Sequence, residues 1–439
     1  MTLETTPLQA DRQYLPVQTL RVDVEEGPDK GQSHVALADA FSIGTSEGND
    51  LVLSDPTVSR YHVDLTRGAQ GIVVIDRGST NGTFAGSTRI ERGLVAPGTR
   101  LRLGRSLLRV TDAEATTVEL HAGEVLADLH GRSAVMRRLM AQIERCAQTD
   151  VSVLIVGESG TGKELIARAL HSVGPRAAGP FVVVDCGALA PHLVASELFG
   201  HERGAFTGAE QRHPGAFERA HGGTLFLDEV GELPAELQSV LLGALERRRF
   251  RRVGGRQEIE VDVHVVSATN RDLRAEVNAN TFRLDLYYRL AVVGLSVPPL
   301  RERPEDLGLL IAHFLREAGY DGDANALFSP TKMQELSRYR WPGNVRELRN
   351  VVEATLAIGE APLPGAVAQE TASGSAGGDM EHLLHLPYKQ ARQEILADFE
   401  LRYVRNLLDS TGGNVSEAAR VARMDRSYLS GLVKRLGLK

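Results

Sequence analysis

Residues 151–171 read VSVLIVGESGTGKELIARALH. An apolar run, Val151 to Val156, ends in a turn holding Gly157, Gly160 and Gly162, and Leu165 to His171 then follows a helical period. A glycine-rich turn between strand and helix lets backbone N–H groups wrap phosphate oxygens at the positive end of the helix, while a lysine there reaches the outer phosphates. Gly157-Glu158-Ser159-Gly160-Thr161-Gly162-Lys163-Glu164 therefore predicts a nucleotide site. The general pattern puts Ser or Thr after the lysine to ligate Mg2+, and here Glu164 stands in that place. The metal then falls to Asp228, at the end of the apolar strand Thr224 to Leu227, which holds it directly or through water. Glu229 beside it is suited to polarising an attacking water, because phosphoryl transfer needs both charge neutralisation and a positioned nucleophile.

Around this stretch, from about Asp128 to Ile358, apolar strands alternate with helical segments, beginning with a helix Ala134 to Ala147, and this predicts a parallel α/β sheet. Before it, from about Leu15 to Val110, short strands such as Leu20 to Val24, Tyr61 to Leu65 and Leu107 to Val110 alternate with turn clusters such as Gly48-Asn49-Asp50 and Asn81-Gly82, the pattern of a small all-β sandwich. After it, Pro362 to Asp379 is rich in Gly, Ala, Ser and Pro without an apolar face and reads as a tether. The last segment is helical, and from Asn414 onward it carries Arg420, Arg423, Arg426, Lys434, Arg435 and Lys439 against Glu417 and Asp425. The expected domains are thus a sandwich at 15–112, an α/β domain with helical lid at 128–360, a linker at 361–387 and an all-α tail at 388–439.

A chain of 439 residues is long enough for several cores, and 42% hydrophobic with 24% charged residues suits globular domains. No apolar run approaches the roughly 20 residues a membrane helix needs, and Met1 to Gln13 does not look like a secretory signal. Two cysteines, Cys146 and Cys186, exclude a disulfide framework and a four-ligand zinc site. A cytoplasmic protein is expected. The net charge of −7 argues against a protein that coats nucleic acid with its whole surface, which makes the basic tail the segment to watch.

From Gly131 to Leu348 the chain resembles the sigma-54-dependent bacterial enhancer-binding activators, a family of AAA+ P-loop ATPases. The most telling segment is Glu197 to Ala209, containing Gly204-Ala205-Phe206-Thr207-Gly208-Ala209, the loop with which this family engages the sigma-54 factor. A loop bounded by glycines can change direction readily and present an exposed Phe206 and Thr207 to a partner. The resemblance implies that the loop 157–164 binds ATP with Glu164 as a family trait, that Asp228 holds Mg2+ and that Glu229 activates water. It implies that Asn270 senses the γ-phosphate, that Arg346 in Trp341-Pro342-Gly343-Asn344-Val345-Arg346 is a second sensor in the lid, and that Arg283 and Arg289 are fingers reaching the nucleotide of a neighbouring subunit. Arginine supplied in trans makes a ring, hexameric or heptameric, necessary for full activity. The bland readings are a strand cap for Asn270, a packed helix entry for the Trp-Pro-Gly turn, and solvated helix residues for the two arginines. One departure is Asp185, where the family often has an Asn that holds the catalytic Glu; an Asp there is expected to repel Glu229 rather than pair with it unless one of the two is protonated or a cation intervenes.

The sandwich resembles forkhead-associated domains through Ile43-Gly44, Asn49 to Leu53, Ser59-Arg60-Tyr61-His62 and Gly78 to Thr83. Such domains bind phosphothreonine peptides, so Ser59, Arg60 and Asn81 are the expected peptide ligands and a phosphothreonine protein or Ser/Thr kinase the expected partner. Thr45 replaces the family's phosphate-binding Arg after the Gly, which leaves a structural or partner-docking sandwich as the alternative. The tail resembles Fis-type helix-turn-helix domains, with Val415 to Ala422 and Arg426 to Leu436 as the two helices and Arg426, Ser427, Tyr428, Ser430 and Lys434 free to face double-stranded DNA. A dimerisation hairpin is the alternative there, and Arg392 to Leu408 is expected to add a dimer contact. Together these imply an activator whose ATP-driven ring remodels sigma-54 RNA polymerase from closed to open complex. The second reading is a DNA-binding regulator or repressor whose AAA+ domain only oligomerises.

Overall fold

In a computed structural model of the chain, five parallel strands form the central sheet in the order Phe181–Asp185, Thr224–Asp228, His264–Thr269, Val153–Val156, Val293–Ser296. The structure describes residues 13–36, 40–68, 70–188 and 191–359, and in the tail 404, 411, 415–421, 424, 429 and 433. These fall into two compact units, within Met1–Pro362 and within Leu363–Lys439.

Nearly every residue of the inner strands is buried, as expected when helices cover both faces of a parallel sheet. One face packs against α1 (Ala134–Ala147) and α2 (Lys163–Ser172) around Met140, Ile143, Ile155, Ile166 and Val266. The other packs against α3 (Pro191–Phe199), α4 (Ala216–Arg219), α5 (Ala235–Arg247), α6 (Leu273–Asn278) and α7 (Leu284–Leu290), with Phe217, Leu225, Leu227 and Leu286 at its centre. α1 has the bounds its pattern predicts, and the Ser133 hydroxyl at its start accepts the Met136 N–H. Val261 to Ser267 alternate in apolar character as a strand does, but the strand begins at His264, because Val261 bonds back to the Arg248 carbonyl behind a small hairpin, Arg249–Arg251 with Glu258–Glu260.

The lid is α8 (Leu307–Glu317), α9 (Ala324–Leu327), α10 (Pro330–Arg338) and α11 (Asn344–Ile358), closed around a Trp341 that is 1% exposed. Its indole N–H donates to the Leu336 carbonyl, so the turn before α11 is a packed joint.

The N-terminal β domain consists of two sheets around Leu20, Ile43, Leu65, Ile72, Leu101 and Leu108. Its longest ribbon pairs Gln13–Glu26 with Ser106–Leu120, ten residues past the expected Val110. Polar and apolar residues alternate only loosely beyond Val110, which hides the extension from pattern reading. Residues 360–403, with the expected linker, lie outside the described residues.

In the tail the described helix is Val415–Val421, and Ala418 and Ala419 are buried with Leu429, Val433 and Val404. Leu429 and Val433 fall within the range expected for the second helix. The predicted base- and phosphate-facing residues Arg426, Ser427, Tyr428, Ser430 and Lys434 lie outside the described residues.

Candidate functional site

The nucleotide loop connects the Val153–Val156 strand to α2 through two glycines in left-handed backbone, Gly160 at φ +75° and Gly162 at φ +101°. Only glycine enters that region without steric cost, and the turn leaves the first N–H groups of α2 free for phosphates. Lys163, 7% exposed, places Nζ 3.1 Å from the Gly157 carbonyl and 3.1 Å from Glu229 Oε1. The second Glu229 oxygen accepts the backbone N–H of Asn270 at 2.9 Å. Three separated segments, Gly157 to Lys163, Asp228-Glu229 and Asn270, therefore meet at one end of three adjacent parallel strands. Glu229 itself sits at φ +48°, a conformation that costs a non-glycine residue of order 1–3 kcal/mol and that clusters at functional sites.

Asp228 accepts the Glu229 N–H at 3.0 Å, and burial followed by the Glu229 charge raises its carboxyl above the ordinary range. Two carboxylates in one recess with a single lysine form an anionic surplus that a divalent cation relieves, so the side chains fit Mg2+ at Asp228. Asp185 lies beside Asp228 in strand register, but its carboxylate turns back to accept the Gly187 and Ala188 N–H groups at 2.8 and 3.1 Å. Glu229 is held instead by Lys163 and Asn270. Glu164 is exposed and pairs with Arg168 one turn along α2, at 2.7 Å.

The lid closes over this loop through residues that sequence reasoning gave no role. Arg301 forks onto both Glu158 oxygens at 2.6 and 2.8 Å, and Asn344 reaches Glu158 Oε2 and the Ser159 carbonyl, both at 3.1 Å. Arg301 first, and then Asn344, hold the Glu158 carboxyl down to about 2. Asn344 is fully buried at φ +52°. Asn is among the few residues that accept this backbone, and that was the one signal available in Trp-Pro-Gly-Asn. Arg346 donates to the Ser159 hydroxyl at 3.1 Å, within the phosphate loop. Thr161 turns its hydroxyl onto the Glu158 carbonyl and its own carbonyl accepts Arg303, a buried side chain in the chain segment before the lid.

Arg283 caps α7 and pairs with Asp285 at 2.7 Å, while Arg289 in its last turn donates to the Leu245 carbonyl at 2.9 Å. In Gly204 to Ala209 the ends are pinned by a Gly204 to Ala209 backbone bond of 2.8 Å, with Gly204 and Gly208 at φ +81° and +102°. Thr207 is exposed as expected. Phe206 is not: it is half-buried, edge-on to His201 at 5.0 Å, because folding back shields its ring from water. In the β domain, Ser59 Oγ accepts the Thr80 N–H at 3.0 Å and Asn81 donates to the Thr57 carbonyl at 2.7 Å. Arg60 donates away from that domain, to the Val277 carbonyl at 2.6 Å and Asn280 Oδ1 at 2.7 Å.

Residues 129–296 match the sigma-54 interaction domain, and residues 301–367 the AAA+ ATPase lid domain. Residues 23–114 match the cytoplasmic domain of an inner membrane component of T3SS. The transcriptional regulatory protein GlrR of Escherichia coli strain K12 is 45% identical over 69% of this chain and 67% of its own length. The DNA-binding transcriptional regulator NtrC of Azospirillum brasilense is 40% identical over 76% of this chain and 75% of its own. The crystal structure of NtrX from Brucella abortus in complex with ATP superposes with a TM-score of 0.50 at 37% identity, covering 71% of this chain and 69% of that one.

Proposed function

The chain belongs to the NtrC-type sigma-54 transcriptional regulators and is a AAA+ ATPase, and from that premise we propose that it couples ATP hydrolysis between neighbouring protomers to the opening of promoter complexes by sigma-54 RNA polymerase. Lys163 and the loop 157–162 bind the phosphates, Asp228 holds Mg2+ and Glu229 orients the attacking water. Asn270 bonds Glu229 through its backbone, so a change at the γ-phosphate that moves Asn270 also moves the catalytic carboxylate. Arg346 reads the nucleotide from the lid, and Arg283 and Arg289 complete the site of the next subunit in a ring. Gly204 to Ala209 is the segment that touches the sigma factor, with Thr207 already exposed and Phe206 released from His201 on contact. The tail, through Arg426, Ser427, Tyr428, Ser430 and Lys434, tethers the ring to enhancer DNA. We assign the β domain an input role, with a forkhead-associated fold. Because Thr45 lacks a guanidinium and Arg60 is engaged elsewhere, partner docking is the better-supported mode, ahead of phosphothreonine capture.

The observation that carries this reading is the convergence of Lys163, Glu229 and Asn270 within hydrogen-bond distance. A domain kept only for oligomerisation has no need to hold a strained glutamate against the phosphate lysine. An open-complex assay with sigma-54 polymerase tests it. The wild type should open the promoter only with hydrolysable ATP, and Thr207→Ala should keep hydrolysis while losing opening. Equal opening with a non-cleavable analogue would end the coupling proposal.

A further inference from the structure

Arg60, one of the three residues through which the β domain was expected to meet a peptide, is spent with its neighbours on a different object, the segment of the motor between Asn270 and Arg289. Arg77 pairs with Asp272, the cap of α6, at 2.7 Å. Asp64 receives Arg274 at 2.9 Å. Asn278, at the end of α6, donates to the Tyr61 and Arg77 carbonyls at 2.6 and 2.9 Å and accepts the Tyr61 N–H at 3.3 Å. Arg60 takes the Val277 carbonyl at the negative end of the same helix. Tyr61 is 1% exposed and packs in the motor's own apolar cluster, edge-on to Tyr287 at 5.3 Å and under Arg274. The Gly48 N–H reaches the Tyr288 hydroxyl at 3.3 Å. Half-buried ion pairs, carbonyls satisfied by side chains and a tyrosine in the core of the other domain are the marks of a built interface.

We propose that the loop face of the β domain is a specific docking surface for α6–α7 of its own motor, and that docking restrains the helix bearing Arg283 and Arg289. The second half rests on the ring-motor reading given above. α7 has seven residues, so Tyr287 and Tyr288, which face the β domain, lie on the same two turns as Arg289. A helix is only about 10–12 Å across, and a whole domain fastened to one side of so short an element crowds the side a neighbouring protomer must approach. Arg289 is meanwhile tied to Leu245 of its own subunit. Undocking frees the finger helix.

Two variants break the surface from opposite sides in the full-length chain. Asn278→Ala removes three hydrogen bonds. Gly48→Leu adds a side chain where even a Cβ would come 2.8 Å from the Tyr288 ring, at a position whose backbone needs no glycine. Hydrogen exchange reports docking, sedimentation reports ring assembly, and ATP turnover reports the fingers. Both variants should exchange faster over 46–62 and 272–288, assemble at lower protein concentration, and turn over ATP about fivefold or more faster at concentrations where the wild type is unassembled. Unchanged exchange would remove the docking surface. Faster exchange with unchanged or weaker assembly would remove the restraint. If the wild type never hydrolyses ATP, the motor reading fails, while exchange and sedimentation still decide the docking and the restraint.

Discussion

Glu229 is held in strained backbone by two groups that themselves belong to the nucleotide site, the Lys163 ammonium and the Asn270 N–H. Glutamine has the same shape and keeps an oxygen for Asn270, so Glu229→Gln should fold and bind ATP normally while turnover falls by roughly 10²–10⁴. Single-turnover hydrolysis beside an equilibrium binding measurement checks this, and retained turnover would take Glu229 out of the chemistry. Asp228 gives a pH test. Its carboxyl is raised by burial and by Glu229, so without a cation the folded state holds that proton more tightly than the unfolded chain does. Stability from this group is complete below the unfolded value of 3.8 and is lost as pH rises through the higher folded value. At neutral pH the ionised Asp228 therefore destabilises the apo protein. Asp228→Asn should raise the apo melting temperature at neutral pH, and the gain should shrink as the medium is acidified. The same variant should lose the Mg2+ dependence of ATP binding, which titration with and without the metal measures. No gain in melting temperature would mean that the Asp228 and Glu229 charges are already compensated.

The phosphate loop and the lid act as one element pair, and their junction shows what a sequence conceals. Periodicity located α1 at its observed bounds, and the strand-turn-helix pattern located the phosphate loop, because local backbone preference and burial agree there. The half-buried Phe206 and the Arg301–Glu158–Asn344 clasp depend on which segments meet in space, and no local pattern encodes that. The clasp makes a prediction. Gly160 at φ +75° has no room for a methyl group, since a Cβ would lie 2.4 Å from the Gly343 carbonyl. Gly160→Ala should therefore cost about 2–4 kcal/mol by combining left-handed strain with a backbone clash, and should part lid from loop. Glu158→Gln should cost less than about 1 kcal/mol, because the Arg301 pair is more than a third exposed and water screens it. What remains of that pair should fade between about pH 4.5 and pH 2, the window set by the lowered Glu158 value. Thermal melts of both variants across pH check the order, and an equal loss in the two would point to a clasp made by charge rather than by shape.

For the whole molecule, the decisive matter is whose arginine serves which nucleotide. Within one protomer Arg289 is bound to Leu245 and Arg283 to Asp285, so in this arrangement neither is engaged with the loop that holds Lys163. In the proposed ring, head-to-tail contacts repeat around a closing axis, and each interface would join the Glu229 of one subunit to the arginines of the next. That arrangement can be tested with two dead proteins. Glu229→Gln chains keep their arginines, and Arg289→Ala chains keep their glutamate, so a mixed ring contains some interfaces in which both halves are intact. Random assembly of equal amounts should restore turnover at about a quarter of the interfaces, provided the sites fire independently and the arginine acts in trans. Two inactive preparations should thus become active on mixing, with recovery rising and then falling as the ratio is varied. If the arginine served its own subunit, every chain in the mixture would carry a lesion at its only site and no ratio would restore activity. Bypassing the proposed docking with Asn278→Ala in both chains should bring the same recovery at lower protein concentration, since assembly and finger placement are then no longer opposed by the β domain.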